Sequence, residues 1–274
     1  MIRLKLSIDS LILHEPIEIQ VAMPQLLTFK DTKLKCVFGL HCLCSNSDIF
    51  FNRLNIEDYV EKYGCAFIST NLSNSYYLNS RLNNVADFLD YELYPYIKNI
   101  LPLSENKEDN FCIGISMGAF GALSWALRKN NFFSKIACVS GFFDPNLALS
   151  DGLKKQRSSY ILTRLSTPYI QEAFTGGNAS LNEILGKSTN SKIGYDTYQE
   201  SANLISLIEQ SDPSLFDIDF YCGSDDQISL EQSKFFYNKI KQNGFNTTYT
   251  EQEGFHDVFA WRKLLPIAFS KFFN

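Results

Sequence analysis

The chain has 274 residues and a formal net charge of −5, and hydrophobic residues make up 45% of it. These figures indicate a soluble globular protein with a sizeable core, and the acidic balance argues against nucleic acid as a partner. No apolar run reaches the length of a membrane span, and the first residues alternate like a strand instead of forming a signal sequence. We therefore expect a cytoplasmic protein without membrane attachment.

The seven cysteines are odd in number, and most lie inside apolar, strand-like runs. In such runs cysteine behaves as a small hydrophobe, so we expect reduced thiols. Cys42 and Cys44 lie beside His41, but no second cluster of Cys or His supplies the remaining ligands of a metal site. The sequence therefore predicts no metal.

Strand-like and helix-like stretches alternate along most of the chain. Polar and apolar residues alternate over 4–8 and 17–23, which predicts two antiparallel strands with one solvated face. Six apolar runs predict further strands, at 34–40, 65–69, 111–115, 135–140, 216–222 and 246–251. Helical spacing is found at 54–63, 85–100, 229–242 and 257–272. This order predicts an α/β fold with a mostly parallel central sheet and helices on both faces.

Residues 142–215 depart from this alternation. They contain polar clusters and short helical pieces such as 202–210, without a clear strand. Because the segment is inserted between two core strands, it should lie over the carboxyl ends of the strands, where ligands bind in open α/β sheets. We predict a single domain over 1–274, with 142–215 as a cap over the active site.

A glycine-flanked serine stands where a predicted strand meets a predicted helix. Gly114 and Gly118 enclose Ser116, directly after the strand over 111–115. Two glycines permit a sharp turn, and the serine then lies at a helix N-terminus, where backbone N–H groups favour negative charge. The pattern is typical of the nucleophile elbow of α/β-hydrolases.

A nucleophilic serine needs a base, and the chain has three histidines. The order in α/β-hydrolases is serine, acid, histidine. His14 and His41 precede Ser116, so His256 is the candidate base.

The acid that orients this base should follow the strand over 216–222. Asp225 and Asp226 are adjacent there. Only one of them can accept the imidazole N–H, and the other is then a solvated turn residue. The residues alone leave both open.

Three motifs resemble the esterase D-type esterase family. They are Gly114-Ile115-Ser116-Met117-Gly118, Cys222-Gly223-Ser224-Asp225-Asp226, and Gly254-Phe255-His256-Asp257 with Trp261 close behind. The resemblance covers nearly the whole chain and is strongest to the tributyrin esterases of lactic acid bacteria and streptococci. It implies an α/β-hydrolase fold and a serine esterase without a cofactor, with Ser116 as nucleophile, Asp226 as acid and His256 as base.

The oxyanion loop departs from the family pattern. The family usually has His-Gly-Met or Ser-Gly-Leu after the third strand, whereas this chain has His41, Cys42 and Leu43. By position, the resemblance implies the backbone N–H groups of Leu43 and Met117 as oxyanion donors. Cysteine resists a positive φ that glycine would allow, so we expect either a strained loop or an altered oxyanion hole. Cys42 as an alternative nucleophile has no matched base in the sequence.

The function that these features favour is a serine carboxylesterase acting on short-chain acyl esters, acylated sugars among them, through an acyl-enzyme on Ser116. The resemblance does not choose the substrate, because the family also includes S-formylglutathione hydrolases, carbohydrate esterases and mycolyltransferases. Two alternatives stay open: a thioesterase or acyltransferase like the S-formylglutathione hydrolases, and a non-catalytic interaction protein that keeps the fold.

A shallow pocket is expected because residues 142–215 contain few adjacent large aliphatic residues. Four aromatic residues are predicted to line it and to stack on a substrate ring: Tyr76, Tyr77, Phe142 and Phe143. The expected partner is a small-molecule acyl ester, and a homo-oligomer is left open.

Overall fold

The structure is a computed structural model that describes residues 1–25, 33–79, 83–129, 131–143 and 203–274. Within these ranges eight strands form one sheet. The strands are β1 (Ile2–Asp9), β2 (Pro16–Met23), β3 (Cys36–Leu40), β4 (Ala66–Thr70), β5 (Asn110–Ile115), β6 (Lys135–Val139), β7 (Asp217–Gly223) and β8 (Tyr249–Gln252).

The strand order across the sheet is β1-β2-β4-β3-β5-β6-β7-β8. β2 is antiparallel to both β1 and β4, and every other neighbouring pair is parallel. The carboxyl ends of β3 to β8 therefore meet at one edge of the sheet. The predicted mostly parallel sheet is confirmed.

The described α-helices are α1 (Ile56–Tyr63), α2 (Val85–Asp87), α3 (Tyr94–Ile100), α4 (Met117–Arg128), α5 (Leu204–Gln210), α6 (Leu230–Gln242) and α7 (Val258–Phe273). Two π-helical segments, Ile49–Arg53 and Phe88–Leu93, and a short 3₁₀ turn, Lys107–Asp109, complete the helical structure. None of the described helices is long and apolar enough to cross a lipid bilayer.

The sheet is covered on both faces by apolar side chains. Along β5, Ile113 and Ile115 belong to a cluster that includes residues of α1 and α7, whereas Cys112 belongs to the cluster that includes α4. Successive side chains of a strand point to opposite faces, so each strand of the middle of the sheet contributes to two cores. This burial on both faces explains why these strands have continuous apolar sequences.

Several predicted boundaries were wrong in detail. The predicted helix over 85–100 is interrupted by the π-helical segment Phe88–Leu93. The last strand begins at Tyr249 instead of Asn246, and just before it the side chain of Asp219 accepts the N–H of Thr248 at 2.8 Å.

Most of the predicted cap over 142–215 lies outside the described residues. Phe142, Phe143 and residues from 203 onward are described, and the predicted short helix over 202–210 is present as α5. The single domain with a cap stays a prediction.

Candidate active site

Ser116 lies at a sharp turn between β5 and α4, with φ 55° and ψ −115°. A Cβ atom on Gly114 would lie 1.9 Å from the carbonyl oxygen of Gly118, and a Cβ on Gly118 would lie 2.0 Å from that of Leu40. Both neighbours are backbone atoms, so no side chain can move to make room. The two glycines are therefore required by close backbone approach, and the serine takes the strained conformation.

A continuous hydrogen-bonded relay runs through Ser116, His256 and Asp226. His256 Nε2 is 2.9 Å from Ser116 Oγ, and His256 Nδ1 is 2.9 Å from Asp226 Oδ2. An ionised carboxylate can only accept, which assigns the proton to Nδ1 and leaves Nε2 to accept from the serine hydroxyl. All three residues are buried. The structure therefore brings together the serine, the histidine and one of the two carboxylates singled out in the sequence.

Asp226, and not Asp225, faces the histidine. Asp225 is exposed, and its carboxylate accepts a hydrogen bond from the hydroxyl of Ser224 at 3.0 Å. Its backbone N–H donates to Gly254 O at 3.0 Å. The backbone of Asp225 thus links the turn after β7 to the loop that contains His256, while the side chain of Asp226 points inward.

Both carboxylate oxygens of Asp226 accept hydrogen bonds, from residues of its own turn and from His256. Oδ1 accepts the backbone N–H groups of Ile228 and Ser229 at 3.1 and 3.0 Å. Oδ2 accepts the hydroxyl of Ser229 at 2.5 Å in addition to His256. Burial alone would raise the pKa of Asp226, but the attraction of His256 and these hydrogen bonds outweigh it and lower that pKa to about 2.

The position of His256 is fixed by the start of α7. Asp257 is the N-cap of this helix, and its carboxylate accepts two N–H groups of the first turn at 2.9 and 3.0 Å. The ring of Trp261 meets the imidazole edge to face, with 5.5 Å between ring centroids. A rigid helix end therefore holds the imidazole between Ser116 and Asp226.

His41 supports the loop that follows β3. Its Nδ1–H donates to Cys42 O at 2.9 Å, and its Nε2 accepts the N–H of Leu72 at 3.2 Å. The hydroxyl of Tyr77 donates to His41 O at 2.9 Å. Since Nε2 must accept, the ring is neutral, and burial lowers the pKa of His41 to about 4. The sequence analysis excluded His41 as the base but did not predict this structural role. Its position next to the predicted oxyanion loop was the signal that could have indicated it.

The expected strain at Cys42 is wrong. Among the described residues of this loop the positive φ, 55°, occurs at Cys44, and Cys42 is not among the residues with positive φ. The backbone N–H of Cys44 donates to Asn74 Oδ1 at 2.8 Å, which holds the turn from outside. Cys42 itself therefore has no strained φ, and the alternative expectation, an altered oxyanion hole, stays a prediction.

The two predicted oxyanion donors lie on adjoining segments. Met117 is the first residue of α4, where a backbone N–H has no acceptor within the helix. Leu43 lies in the loop that begins at His41, and the close approach of Leu40 to Gly118 places that loop beside the start of α4. Their role as oxyanion donors stays a prediction.

The structure shows the surroundings of the four aromatic residues that were predicted to line the pocket. Tyr77 is fully buried, with its hydroxyl bound to His41 O, and Phe143 packs between Phe220 and Phe236. Tyr76 and Phe142 are buried in the same core cluster, so burial does not separate the four residues, and their contact with substrate stays a prediction. Tyr76 and Phe142 lie against each other, with ring centroids 6.3 Å apart.

Phe142 also lies next to the elbow, because its backbone N–H donates to Ser116 O at 3.1 Å. Contact of Tyr76 and Phe142 with substrate stays a prediction.

No group of three or more His, Cys, Asp or Glu side chains within the described ranges is placed to hold a metal ion. The chemistry available at the site is that of a strained serine hydroxyl, an imidazole and a buried carboxylate. This relay, at the carboxyl edge of a mostly parallel sheet with helices on both faces, defines a serine hydrolase of the α/β-hydrolase fold.

Comparison with known proteins gives the family. Residues 70–272 match the family model described as "Esterase: Putative esterase", and the chain belongs to this family. The matched segment contains Ser116, Asp226 and His256, whereas the loop that begins at His41 precedes it. An acetyl esterase of Caldicellulosiruptor saccharolyticus is 26% identical over 240 residues, which are 86% of this chain and 82% of that protein.

Solved structures share the fold. FphF, a fluorophosphonate-binding serine hydrolase of Staphylococcus aureus, superposes with a TM-score of 0.78 at 22% identity, covering 100% of this chain and 98% of its own. The S-formylglutathione hydrolase FrmB of the same organism gives 0.74 at 20% identity, with 100% and 99% covered. The predicted α/β-hydrolase fold and the predicted serine esterase class are confirmed, while the likeness to tributyrin esterases stays a prediction.

The elbow contact predicts the effect of a single methyl group. Gly118→Ala places a Cβ against the backbone of Leu40, which should lower the free energy of unfolding by about 3 kcal/mol and abolish most ester hydrolysis. Gly64→Ala is the control, because a Cβ on Gly64 would meet nothing within 4 Å, although its φ of +61° is itself unfavourable for alanine. It should cost only about 1 kcal/mol. Denaturant unfolding and hydrolysis rates measure both, and equal effects of the two substitutions would contradict the steric argument.

The neutral state of His41 predicts a pH-dependent stability. Between pH 6.5 and about 4 the unfolded chain binds a proton at this histidine and the folded protein does not. The free energy of unfolding should therefore fall with decreasing pH in this window, by on the order of 3 kcal/mol from this residue alone. His41→Asn should be less stable at pH 7 and should lose this part of the pH dependence. His14→Asn, at an exposed histidine, should keep it. Parallel curves for wild type and His41→Asn would overturn the assignment.

Proposed function

We propose that this protein hydrolyses short-chain carboxylic esters through an acyl-enzyme on Ser116. The observation that carries the proposal is the unbroken relay of 2.9 Å contacts from Ser116 through His256 to Asp226. A chain that kept the fold only as an interaction module would have no need for a strained serine at the head of such a relay. The relay therefore favours an enzyme over the non-catalytic alternative.

In the first step His256 Nε2 takes the proton of Ser116 as its Oγ attacks the carbonyl carbon of the ester. The imidazolium that forms is stabilised by the ionised Asp226, whose low pKa keeps it charged at neutral pH. The same histidine then returns the proton to the leaving alcohol. In the second step it activates a water molecule that releases the acid.

The tetrahedral intermediate carries a negative oxygen, which the backbone N–H groups of Leu43 and Met117 are proposed to bind. Met117 lies at the N-terminus of α4, whose partial positive charge also favours an oxyanion. The hydrogen bonds of His41 keep the loop of Leu43 in place. A donor held in advance needs no reorganisation during the reaction, which is how such sites lower the barrier.

The proposed substrate is a small-molecule ester with a short acyl group, acetyl to butyryl. The acetyl esterase among the relatives supports a short acyl chain. The composition of residues 142–215, largely polar with few adjacent large aliphatic residues, supports a shallow pocket. Tyr76 and Phe142 are proposed to contact the substrate and would suit an acylated sugar. A cytoplasmic location and a homo-oligomer stay predictions.

A thioesterase activity is the second candidate, because the fold is shared with an S-formylglutathione hydrolase over the full length of this chain. An acyl-enzyme on Ser116 would form equally from a thioester. The two candidates differ in the preferred leaving group, so kcat/KM for matched acetyl esters and acetyl thioesters separates them.

The two adjacent carboxylates provide a matched test of the mechanism. Asp226→Asn should lower kcat by about a thousandfold or more, because the amide cannot stabilise the imidazolium and favours the wrong tautomer. Asp225→Asn should leave kcat within about twofold, since this carboxylate is exposed and faces Ser224. Steady-state kinetics on p-nitrophenyl acetate measure both. Equal losses, or a larger loss at Asp225, would reassign the acid.

The shallow pocket predicts the dependence on acyl length. For p-nitrophenyl esters from acetyl to dodecanoyl, kcat/KM should peak between acetyl and butyryl and fall steeply by octanoyl. Each further methylene gains about 0.8 kcal/mol only where a continuous apolar wall excludes water. A maximum at octanoyl or beyond, or a jump in rate above the micelle concentration of the substrate, would instead indicate a lipase.

A further inference from the structure

Ser229 occupies the N-cap position of α6 but does not cap it. A serine at this position usually accepts an N–H group of the first helical turn with its Oγ. Here no such bond is formed by the side chain of Ser229. The hydroxyl is completely buried, so its polar atom must find a partner elsewhere.

That partner is the carboxylate of the relay. Ser229 Oγ lies 2.5 Å from Asp226 Oδ2, the same oxygen that accepts Nδ1–H of His256. It also lies 3.4 Å from His256 Nδ1. Because the carboxylate can only accept, the hydroxyl proton is directed at Oδ2, and two donors share one oxygen.

Two further titratable side chains lie near this carboxylate, Cys222 and Tyr249. Cys222 Sγ lies 3.7 Å from Asp226 Oδ2 and 3.4 Å from Ser229 Oγ, and burial, reinforced by Asp226, raises the pKa of Cys222 to about 12. Burial also raises the pKa of Tyr249 on β8. Both groups are therefore neutral at physiological pH.

Lys234 of α6 and Glu251 of β8 form an ion pair with each other at 2.9 Å.

We propose that Ser229 is a positioning residue of the relay, whose hydroxyl donates to Oδ2 and so fixes the carboxylate oxygen that His256 uses. The proposal rests on the hydrolytic function proposed above. Donation from Ser229 withdraws part of the negative charge that Oδ2 presents to the imidazole. Without it, Oδ2 presents more negative charge to the imidazole.

The sign of the effect on activity follows. A general base acts in its neutral form, so kcat/KM rises with pH along the acid limb of its profile. Removal of the hydroxyl should move the acid limb of the kcat/KM profile to higher pH, by about half a pH unit or more. It should also lower kcat about tenfold, because the carboxylate loses one of the bonds that orient it.

The experiment compares full pH profiles of kcat/KM on p-nitrophenyl acetate for four variants and the wild type. Ser229→Ala and Ser229→Gly both remove the hydroxyl, and glycine is well tolerated at an N-cap, which protects against a variant that fails to fold. Ser229→Thr retains a hydroxyl. Ser233→Ala is the matched control, since Ser233 is equally buried one turn further along α6.

The proposal expects a displaced acid limb in the alanine and glycine variants, a limb near that of wild type in Ser229→Thr, and an unchanged limb in Ser233→Ala. An unmoved limb in folded Ser229→Ala or Ser229→Gly, whether kcat falls or not, would overturn it, as would the same displacement in Ser233→Ala. A failure of the proposed function is distinct, because the wild type itself would then not hydrolyse the ester.

Discussion

The structure depends above all on a contact between backbone atoms, the approach of the Leu40 carbonyl oxygen to the α-carbon of Gly118. This contact brings the end of β3 against the first turn of α4, and the companion contact between Gly114 and Gly118 O bends the chain sharply out of β5. The strained φ of Ser116 is a consequence of both. Because the neighbouring atoms are backbone, the geometry tolerates no side chain. One constraint therefore positions both the proposed nucleophile and the loop proposed to bind the oxyanion.

Two buried histidines carry out opposite tasks around this elbow. His256 faces the ionised Asp226 and can therefore accept a positive charge during the reaction. His41 has no carboxylate against its ring; it bonds to a backbone carbonyl and a backbone N–H, and it must stay neutral to do so. The difference in neighbours, not in burial, suits one imidazole to the proposed role of base and makes the other a part of the scaffold.

Much of this arrangement could be predicted from the sequence, because it depends on patterns of residues that are close together in the chain. Ser116 stands in a five-residue motif, His256 is the one histidine downstream of it, and the apolar runs give the strands. What could not be predicted depends on packing between distant segments. The hydrogen bond from Ser229 to Asp226 forms only because the start of α6 directs the Ser229 side chain into the protein. Tyr77 is buried with its hydroxyl bonded to O of His41, a residue 36 positions earlier in the chain. The positive φ of this loop at Cys44 instead of Cys42 could not be predicted either, because it depends on Asn74, which holds the backbone of Cys44.

The central claim is that Ser116 is activated as a nucleophile by the folded relay, and covalent labelling tests it most directly. Native protein treated with a fluorophosphonate should gain one label, and peptide mass spectrometry should locate it on Ser116. His256→Ala, which leaves the serine but removes its base, should label at least about a hundredfold more slowly. Absence of label on native protein, or a label that is retained at full rate without His256, would contradict the account.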